Sequence, residues 1–362
     1  MNRLISWKDS DWALLGAALL IAVMGIVQIY STTAGTRFAG AHVRQICWVL
    51  LGIGLLLLVC FYDYHNLLNY APWFYLVVLA LLVTTLLVGN EISGARRWIQ
   101  LGGLTIQISE IAKLCVILLL ARFLGEFQVG EVSFLDLGKV ALAVGIPTVL
   151  IALQPDLGTA LTMVPIAIIT LFLAGLRLRY FGAMLLIGVL ALPIAVHFLR
   201  PYQKERIATF LNPESDPRDS GYQVLQSKIA VGSGQLWGKG TAQGTQTQLR
   251  FLPVPHTDFI FAAYAEEHGF FGVLLGLMLY GIVMLRLVAS AQTAPDAAGM
   301  FLVAGFLGVF AFQILVNVGM VVGYLPVTGI PLPLMSYGGS SVVFTCLALG
   351  LANSVRIRRF VN

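Results

Sequence analysis

Residues 12–30 read WALLGAALLIAVMGIVQIY, a run from Trp12 to Tyr30 with no Asp, Glu, Lys or Arg in it. A hydrocarbon core of about 30 Å needs roughly 20 consecutive apolar residues of helix, so the run predicts a transmembrane span. The same reading recurs downstream at Val43–Tyr62, Tyr70–Val88, Ile106–Phe123, Leu137–Leu153, Thr159–Leu173, Phe181–Leu199, Phe270–Leu287, Ala297–Val322 and Val342–Val355. The expected fold is therefore an all-α polytopic membrane protein of about ten transmembrane helices, a single membrane domain over residues 1–362. The fifth and sixth spans are short and meet at Gln154-Pro155-Asp156-Leu157-Gly158, which predicts a tight hairpin.

Composition agrees. Hydrophobic residues make up 58% of the chain and charged residues 11%, against about 25% charge in a soluble domain. The mean hydropathy is +0.87, so lipid must be the solvent for most of the surface. The 37 glycines suit closely packed membrane helices. Cys47, Cys60, Cys115 and Cys346 all fall in apolar runs and read as small hydrophobes, not as a disulfide framework. The first apolar run lacks a small-residue cleavage site and is expected to stay as a span. A net charge of +5 is modest, and it is read by position, as membrane topology; no nucleic acid is expected as a partner.

An even number of spans puts both termini on one side. With the N-terminus in the cytoplasm, inner segments hold Arg3, Lys8, Arg122, Lys139, Arg177, Arg179, Arg286, Arg356, Arg358 and Arg359, while short outer loops hold only Arg37, Arg44, Arg96 and Arg97. Positive charge gathers on the cytoplasmic side, so both termini are expected there. The segment of about 200–269 between the seventh and eighth spans then becomes one large extracytoplasmic loop. It is too short and too Gly-rich for its own core, and is expected to fold back on the bundle.

Polar chemistry is sparse and localised. Glu110 and Lys113 lie three residues apart inside the fourth apolar run, on one face of a helix and able to pair. Charges at membrane depth are costly, so the pair has either a structural or coupling role or a place on an ion path. In the loop, Gly232-Ser233-Gly234 and Gly238-Lys239-Gly240 sit among several glutamines. They either let backbone amides approach an anion or sugar, or simply make turns; neither fits a phosphate-binding P-loop. Asp258, in Pro253-Val254-Pro255-His256-Thr257-Asp258-Phe259, stands where the chain re-enters apolar sequence. It can be read as a general base or as the N-cap of the next helix. Glu266, Glu267 and His268 follow; the two acids read as structural hydrogen-bonding groups, helix caps or a cation site. The histidines and acids show no metal-ligand spacing, so no metal site is assigned. Finally, residues 323–341, from Gly323 through Pro326, Pro331 and Pro333 to Ser341, forbid a regular helix. Irregular backbone at this depth must be buried in protein or line a wet cavity.

Taken together these residues resemble the SEDS family (shape, elongation, division and sporulation) of polytopic glycosyltransferases. The resemblance covers the whole chain in order. It is carried by Gly94-Ala95-Arg96-Arg97-Trp98-Ile99, Gln107-Ile108-Ser109-Glu110-Ile111-Ala112-Lys113, Gln154-Pro155-Asp156-Leu157-Gly158-Thr159-Ala160, Gly221-Tyr222-Gln223, His256-Thr257-Asp258-Phe259-Ile260-Phe261-Ala262 and Pro333-Leu334-Met335-Ser336-Tyr337-Gly338-Gly339-Ser340-Ser341. Gly238-Lys239-Gly240 with Gly244-Thr245-Gln246, and Leu325 to Pro333, resemble the elongation branch more than the division branch. Two positions depart from the family pattern: Ile108 where proline is usual, and Val254 where glutamate is usual, which leaves Asp258 without an assisting acid there.

The resemblance implies polymerisation of lipid II, an undecaprenyl-diphosphate-linked disaccharide-pentapeptide, at the outer face of the bacterial cytoplasmic membrane, for elongation and rod shape. It implies Asp258 as the essential acid and a class B penicillin-binding transpeptidase as partner. The developing diphosphate charge would need cations, and Arg200, Lys204, Arg206, Lys228, Lys239 and Arg250, with His256 nearby, are the candidates. A divalent cation such as Mg or Mn could do the same. The competing readings are a lipid II flippase, suggested by Glu110–Lys113 and the broken helix near Pro331, and a scaffold for the transpeptidase.

Overall fold

A computed structural model describes residues 9–92, 95–101, 104–127, 133–183, 186, 190, 204, 206, 208–210 and 220–360. It is a bundle of long apolar helices. In chain order these are α1 (Trp12–Thr33), α2 (Ala41–Phe61), α3 (Tyr64–Val88), α4 (Ile108–Gly125), α5 (Phe134–Leu153) and α6 (Leu157–Leu173). After α6 come α7 (Ser220–Ser233), the single turn α8 (Thr245–Gln248), α9 (Ile260–Gln292), α10 (Ala297–Val321) and α11 (Gly339–Ile357). Seven of them, α1, α2, α3, α5, α9, α10 and α11, are long and apolar enough to cross a membrane. α6, with 17 residues, is apolar but shorter, and α4 carries Glu110, Lys113 and Arg122. The protein is thus a multi-pass membrane protein. Most of the expected span Phe181–Leu199 lies outside the described residues.

Acids at helix starts punctuate the spans. Asp11, Asp63, Asp156 and Asp296 each accept a backbone N–H in the first turn of α1, α3, α6 and α10, and Ser133 with Asp136 forms a capping box on α5. A free helix N-terminus leaves backbone donors unsatisfied, which a carboxylate satisfies while complementing the dipole. Between them the helices turn apolar side chains such as Leu50, Leu58, Trp73, Leu87 and Leu142 outward, as a lipid-facing surface requires.

α10 runs through the middle, against α4, α6, α9 and α11. Glycines set close approaches in the bundle: a Cβ on Gly305 of α10 would meet Ile117 of α4 at 2.7 Å, and one on Gly350 of α11 would meet the Leu56 carbonyl of α2 at 2.8 Å. In lipid, close backbone approach through small residues replaces the hydrophobic drive between helices.

Three expectations change. The fold is not purely helical: β1 (Asn90–Ile92), β2 (Ala95–Leu101) and β3 (Leu104–Gln107) form an antiparallel sheet in the order β1-β2-β3. The strands satisfy their backbone with one another outside the helical bundle, and the fourth helix starts at Ile108, not Ile106. The eighth apolar helix starts at Ile260, not Phe270, which shortens the loop by a helical segment carrying Glu266 and Glu267. That segment is continuous with the rest of α9 except at Gly269, whose φ of 64° and ψ of −164° break the helical path.

Residues 234–240 fill the break. Lys239 and Gly240 donate their N–H to the carbonyls of Glu266 and Glu267, and Phe270 and Phe271 donate to Gln235 and Leu236. The contact admits no side chain: a Cβ on Gly238 would lie 2.2 Å from the Glu267 carbonyl oxygen. These loop glycines are packing and turn residues. Glu266 and Glu267, both buried, are hydrogen-bonding groups. Glu266 accepts from Lys239 Nζ, Gln246 N and Thr247. Glu267 accepts from Ser31 and Gln28 on α1.

Among the described residues, ion pairs other than Glu110–Lys113 gather at the two ends of the bundle. At one end Asp11 pairs with Arg286 and Arg356, and His65 bridges Asp63 and Asp296. At the other lie the sheet, the Gln154–Asp156 turn, residues 220–259 and residues 322–338. The candidate site is there.

Candidate active site

Asp258 sits one residue before the N-cap of α9. That cap is Phe259, and no side chain caps the helix. The capping reading of Asp258 therefore falls. Its backbone carbonyl accepts from Asn317 Nδ2 of α10 at 3.1 Å, and the same amide donates to Ile330 O at 2.8 Å. One buried asparagine thus ties the end of the loop to the irregular segment before α11. Ser336 strengthens the tie by donating to Thr257 O at 2.8 Å, and Tyr337 N donates to His256 O at 2.9 Å. The Gly329 Cα faces the carboxylate, since a Cβ there would lie 3.5 Å from Asp258 Oδ2. The proline-rich segment forms a wall beside Asp258.

The carboxylate is partly buried. Burial pushes its pKa up; the guanidiniums of Arg206 and Arg97 and a hydrogen bond from Thr257 oppose that, and Asp156 adds to it. The net direction is upward, so the group holds its proton to higher pH than a free carboxylate does. Arg206 donates from Nη1 to Val327 O at 3.0 Å. Arg97, from β2, lies 3.4 Å from Asp156 Oδ1.

The other expected substrate residues scatter. Lys239 pairs with Glu266 at 2.8 Å, fastening the loop to α9, and Arg250 donates to Gly35 O. Both charges are engaged within the protein. Lys228 is exposed on α7 with its stem over Gly323. Lys204 is exposed, and Arg200 lies outside the described residues. His256 is packed between Phe38 and Tyr337, at 4.7 and 5.9 Å between ring centroids, and burial lowers its pKa. A neutral ring in an aromatic sandwich does not serve as a cation. Of the expected cations, the structure brings Arg206 to Asp258.

Two residues that motif reading left without a role join it, Arg97 and Asp156. Both stand in stretches quoted above, but nothing in their local spacing connects them with Asp258. Glu110 and Lys113 lie deeper, in α4. Lys113 Nζ is 2.9–3.0 Å from both carboxylate oxygens and 4.3 Å from the centre of the Phe344 ring, and both side chains are buried. As for a metal, the described residues hold no group of three or more His, Cys, Asp or Glu placed to bind one. Among the described residues, the two carboxylates at the site already face guanidiniums and supply no set of donors for a divalent cation.

The chain matches the model of the FtsW, RodA and SpoVE proteins, described as cell cycle proteins, over residues 11–359. The chain belongs to that family. The peptidoglycan glycosyltransferase MrdB of Escherichia coli K12 is 38% identical over 342 residues, covering 94% of this chain and 92% of that protein. The peptidoglycan glycosyltransferase RodA of Treponema pallidum is 33% identical, covering 99% and 100%, and the stage V sporulation protein E of Bacillus subtilis 37%, covering 97% and 98%. Among solved family structures, a chain from work on structural coordination of polymerization and crosslinking by a peptidoglycan synthase complex superposes with a TM-score of 0.85 at 35% identity, covering 98% and 100%. The RodA protein of Thermus thermophilus superposes with a TM-score of 0.74 at 32% identity, covering 98% and 99%.

Proposed function

We propose that the protein is a peptidoglycan glycosyltransferase of the elongation branch. It polymerises lipid II at the outer face of the bacterial cytoplasmic membrane, with Asp258 as general base and a class B penicillin-binding transpeptidase as partner. The chain then crosses the membrane ten times, with both termini in the cytoplasm and the loop outside. Relatives named peptidoglycan glycosyltransferases that match almost end to end support the activity. The likeness to a chain from a peptidoglycan synthase complex supports the partnership. The observation that carries the catalytic assignment is local. Asp258 is a partly buried carboxylate with no capping duty, facing the guanidiniums of Arg206 and Arg97.

In this mechanism the Asp258 carboxylate takes the proton from the 4-hydroxyl of the acceptor GlcNAc as that oxygen bonds to C1 of the donor MurNAc. The bond from C1 to the lipid diphosphate breaks, and the diphosphate leaves with the electron pair. A single displacement inverts the α-linked donor to a β-linkage, so no covalent glycosyl-enzyme is needed. Arg206 and Arg97 lie where they can offset the charge growing on the diphosphate.

The test is polymerisation of lipid II by the purified protein in detergent, with Asp258→Asn beside it. Loss of the base is expected to cost about 10²–10⁴-fold in rate, with the size-exclusion profile unchanged and the thermal midpoint not lowered. A folded Asp258→Asn protein that polymerises within a few-fold of wild type would overturn the assignment. The assay also separates a polymerase from a flippase, which needs two compartments and makes no polymer.

A further inference from the structure

We propose that Asp156 is a positioning residue for the glycosyl transfer, holding Arg97 between two carboxylates until the substrate's diphosphate takes the guanidinium. The inference rests on the assignment of Asp258 as base and adds a role for two residues on other elements.

Asp156 is nearly inaccessible, its side chain 6% exposed. Its two oxygens are unequally engaged. Oδ2 accepts from Gln107 Nε2 at 2.7 Å and from Thr159 Oγ1 at 3.0 Å. Among the described residues, Oδ1 has only the long cap contact to Thr159 N at 3.3 Å and Arg97 Nη1 at 3.4 Å. A charge-assisted contact in a closed ion pair is about 2.7–2.9 Å, so Asp156 restrains Arg97 without closing on it. Arg97 stands at a bulge of β2, the middle strand, between Trp98, which pairs with Asn90, and Arg96, which pairs with Glu91. The register Trp98↔Gln107 sets Arg97 beside the strand whose last residue also reaches Asp156.

Arg97 has donors to give. Its Nε is buried and has no hydrogen-bond partner among the described residues, and an unmade hydrogen bond on a buried charged group is costly. A planar fork with a free Nε–H and one loose ion pair matches an acceptor that can take two parallel bonds, as a phosphate does. Asp156 and Asp258 compete for the same cation. A diphosphate arriving beside Asp258 would draw the fork forward and leave Asp156 with its cap and Gln107.

Among the described residues, the groups facing Asp258 are Arg206, Arg97 from β2, Asp156 from the α5–α6 turn and the Thr257 hydroxyl. From the wall before α11 comes Gly329 and from α10 the uncharged Asn317, while His256 is turned into its aromatic sandwich. This arrangement makes the two substitutions act with opposite sign. Asp156→Asn keeps the α6 cap, since asparagine caps as well as aspartate, but removes a negative charge and releases Arg97 towards Asp258. Both effects favour the ionised base, so the acid limb of the rate profile moves to lower pH. Arg97→Gln removes a cation, and the limb moves to higher pH.

The experiment measures initial polymerisation rates of the purified full chain against pH and against lipid II concentration. The panel is wild type, Asp156→Asn, Asp156→Ser, Arg97→Gln and Arg97→Lys, with size exclusion and thermal midpoint as folding controls. The expected result is a kcat loss on the order of 10²-fold in Asp156→Asn, as for a misplaced binding group, with the acid limb lowered. Arg97→Gln should raise KM and move the limb upward, and Arg97→Lys should restore KM in part. If Asp156→Asn does not fold, Asp156→Ser, which also caps, carries the same expectation. A folded Asp156 variant with wild-type kcat and pH profile overturns the proposal, as do limbs that move the same way in the Asp156 and Arg97 variants. Asp258→Asn, run alongside, separates the two claims. If it is inactive while Asp156 variants behave as wild type, only the positioning role fails; if it is active, the base assignment fails first.

Discussion

Neutralising the buried pair in α4 one partner at a time should reveal an asymmetry set by a third residue. Lys113 is fully buried, 2.9 Å from Glu110 Oε2 and 4.3 Å from the Phe344 ring centre. Lys113→Met leaves a carboxylate in the bundle with no other ion pair among the described residues, at a cost of about 3–5 kcal/mol. Glu110→Gln also strands a charge, but the ammonium keeps the face of Phe344, a contact worth up to about 2 kcal/mol when desolvated. Glu110→Gln should therefore be milder, at about 1–3 kcal/mol. In the double mutant both charges are gone, and replacing a buried pair by neutral groups is often close to neutral. The coupling energy should then be about 4–8 kcal/mol, the sum of the two single costs. Equilibrium unfolding in mixed micelles, followed by helical circular dichroism for the four proteins, measures it. Additivity within about 0.5 kcal/mol would refute the reasoning, as would a Glu110→Gln protein less stable than Lys113→Met. Polymerisation by the folded double mutant then reports function separately: wild-type activity assigns the pair to packing, and loss assigns it to coupling.

Three further outcomes follow from the geometry. Because burial raises the pKa of Asp258, polymerisation should fall on acidification at a pH above the ordinary carboxylate range. Stability has the opposite sign: an acid with a raised folded pKa contributes stability at low pH that is lost as pH rises through that pKa. Unfolding of Asp258→Asn should lack this component of the pH dependence. Gly269→Ala would place a Cβ 2.3 Å from Gly238 N at a φ of +64°, so it should lower folded yield sharply, whereas Gly276→Ala, whose Cβ meets nothing closer than 3.5 Å, should be near neutral. For topology, a single cysteine at Gln243 in a cysteine-free chain should react with an impermeant maleimide in spheroplasts, and one at Thr293 only after lysis; the reverse would invert the proposed orientation.

Lipid contact is a local property, and so the helices of this protein were legible one run at a time. A span needs its own uninterrupted apolar residues whatever the rest of the chain does, which is why α1, α2 and α10 lie close to where their sequences put them. The i, i+3 spacing of Glu110 and Lys113 is local in the same sense, and so is the helix-forbidding proline content of residues 323–341. The helix start at Ile260 was not legible. Its Glu266-Glu267-His268-Gly269 stretch looks like loop, and becomes helix because residues 234–240 return to satisfy the exposed carbonyls at Gly269. The sheet was missed because short strands draw their stability from one another and leave no apolar run.

The site divides the same way. Sequence alone marked Asp258 as an acid at the edge of apolar sequence, and left open whether it capped a helix. Tertiary structure decided that it does not, and chose its neighbours. Arg97 and Asp156 reach it from a strand and a helical turn far away in the chain, while Lys239 and Arg250, closer in sequence, are held elsewhere by Glu266 and the Gly35 carbonyl. The physical reason is that a buried charge must find a partner, and which partner is within reach depends on where the whole chain has been, not on the residues beside it.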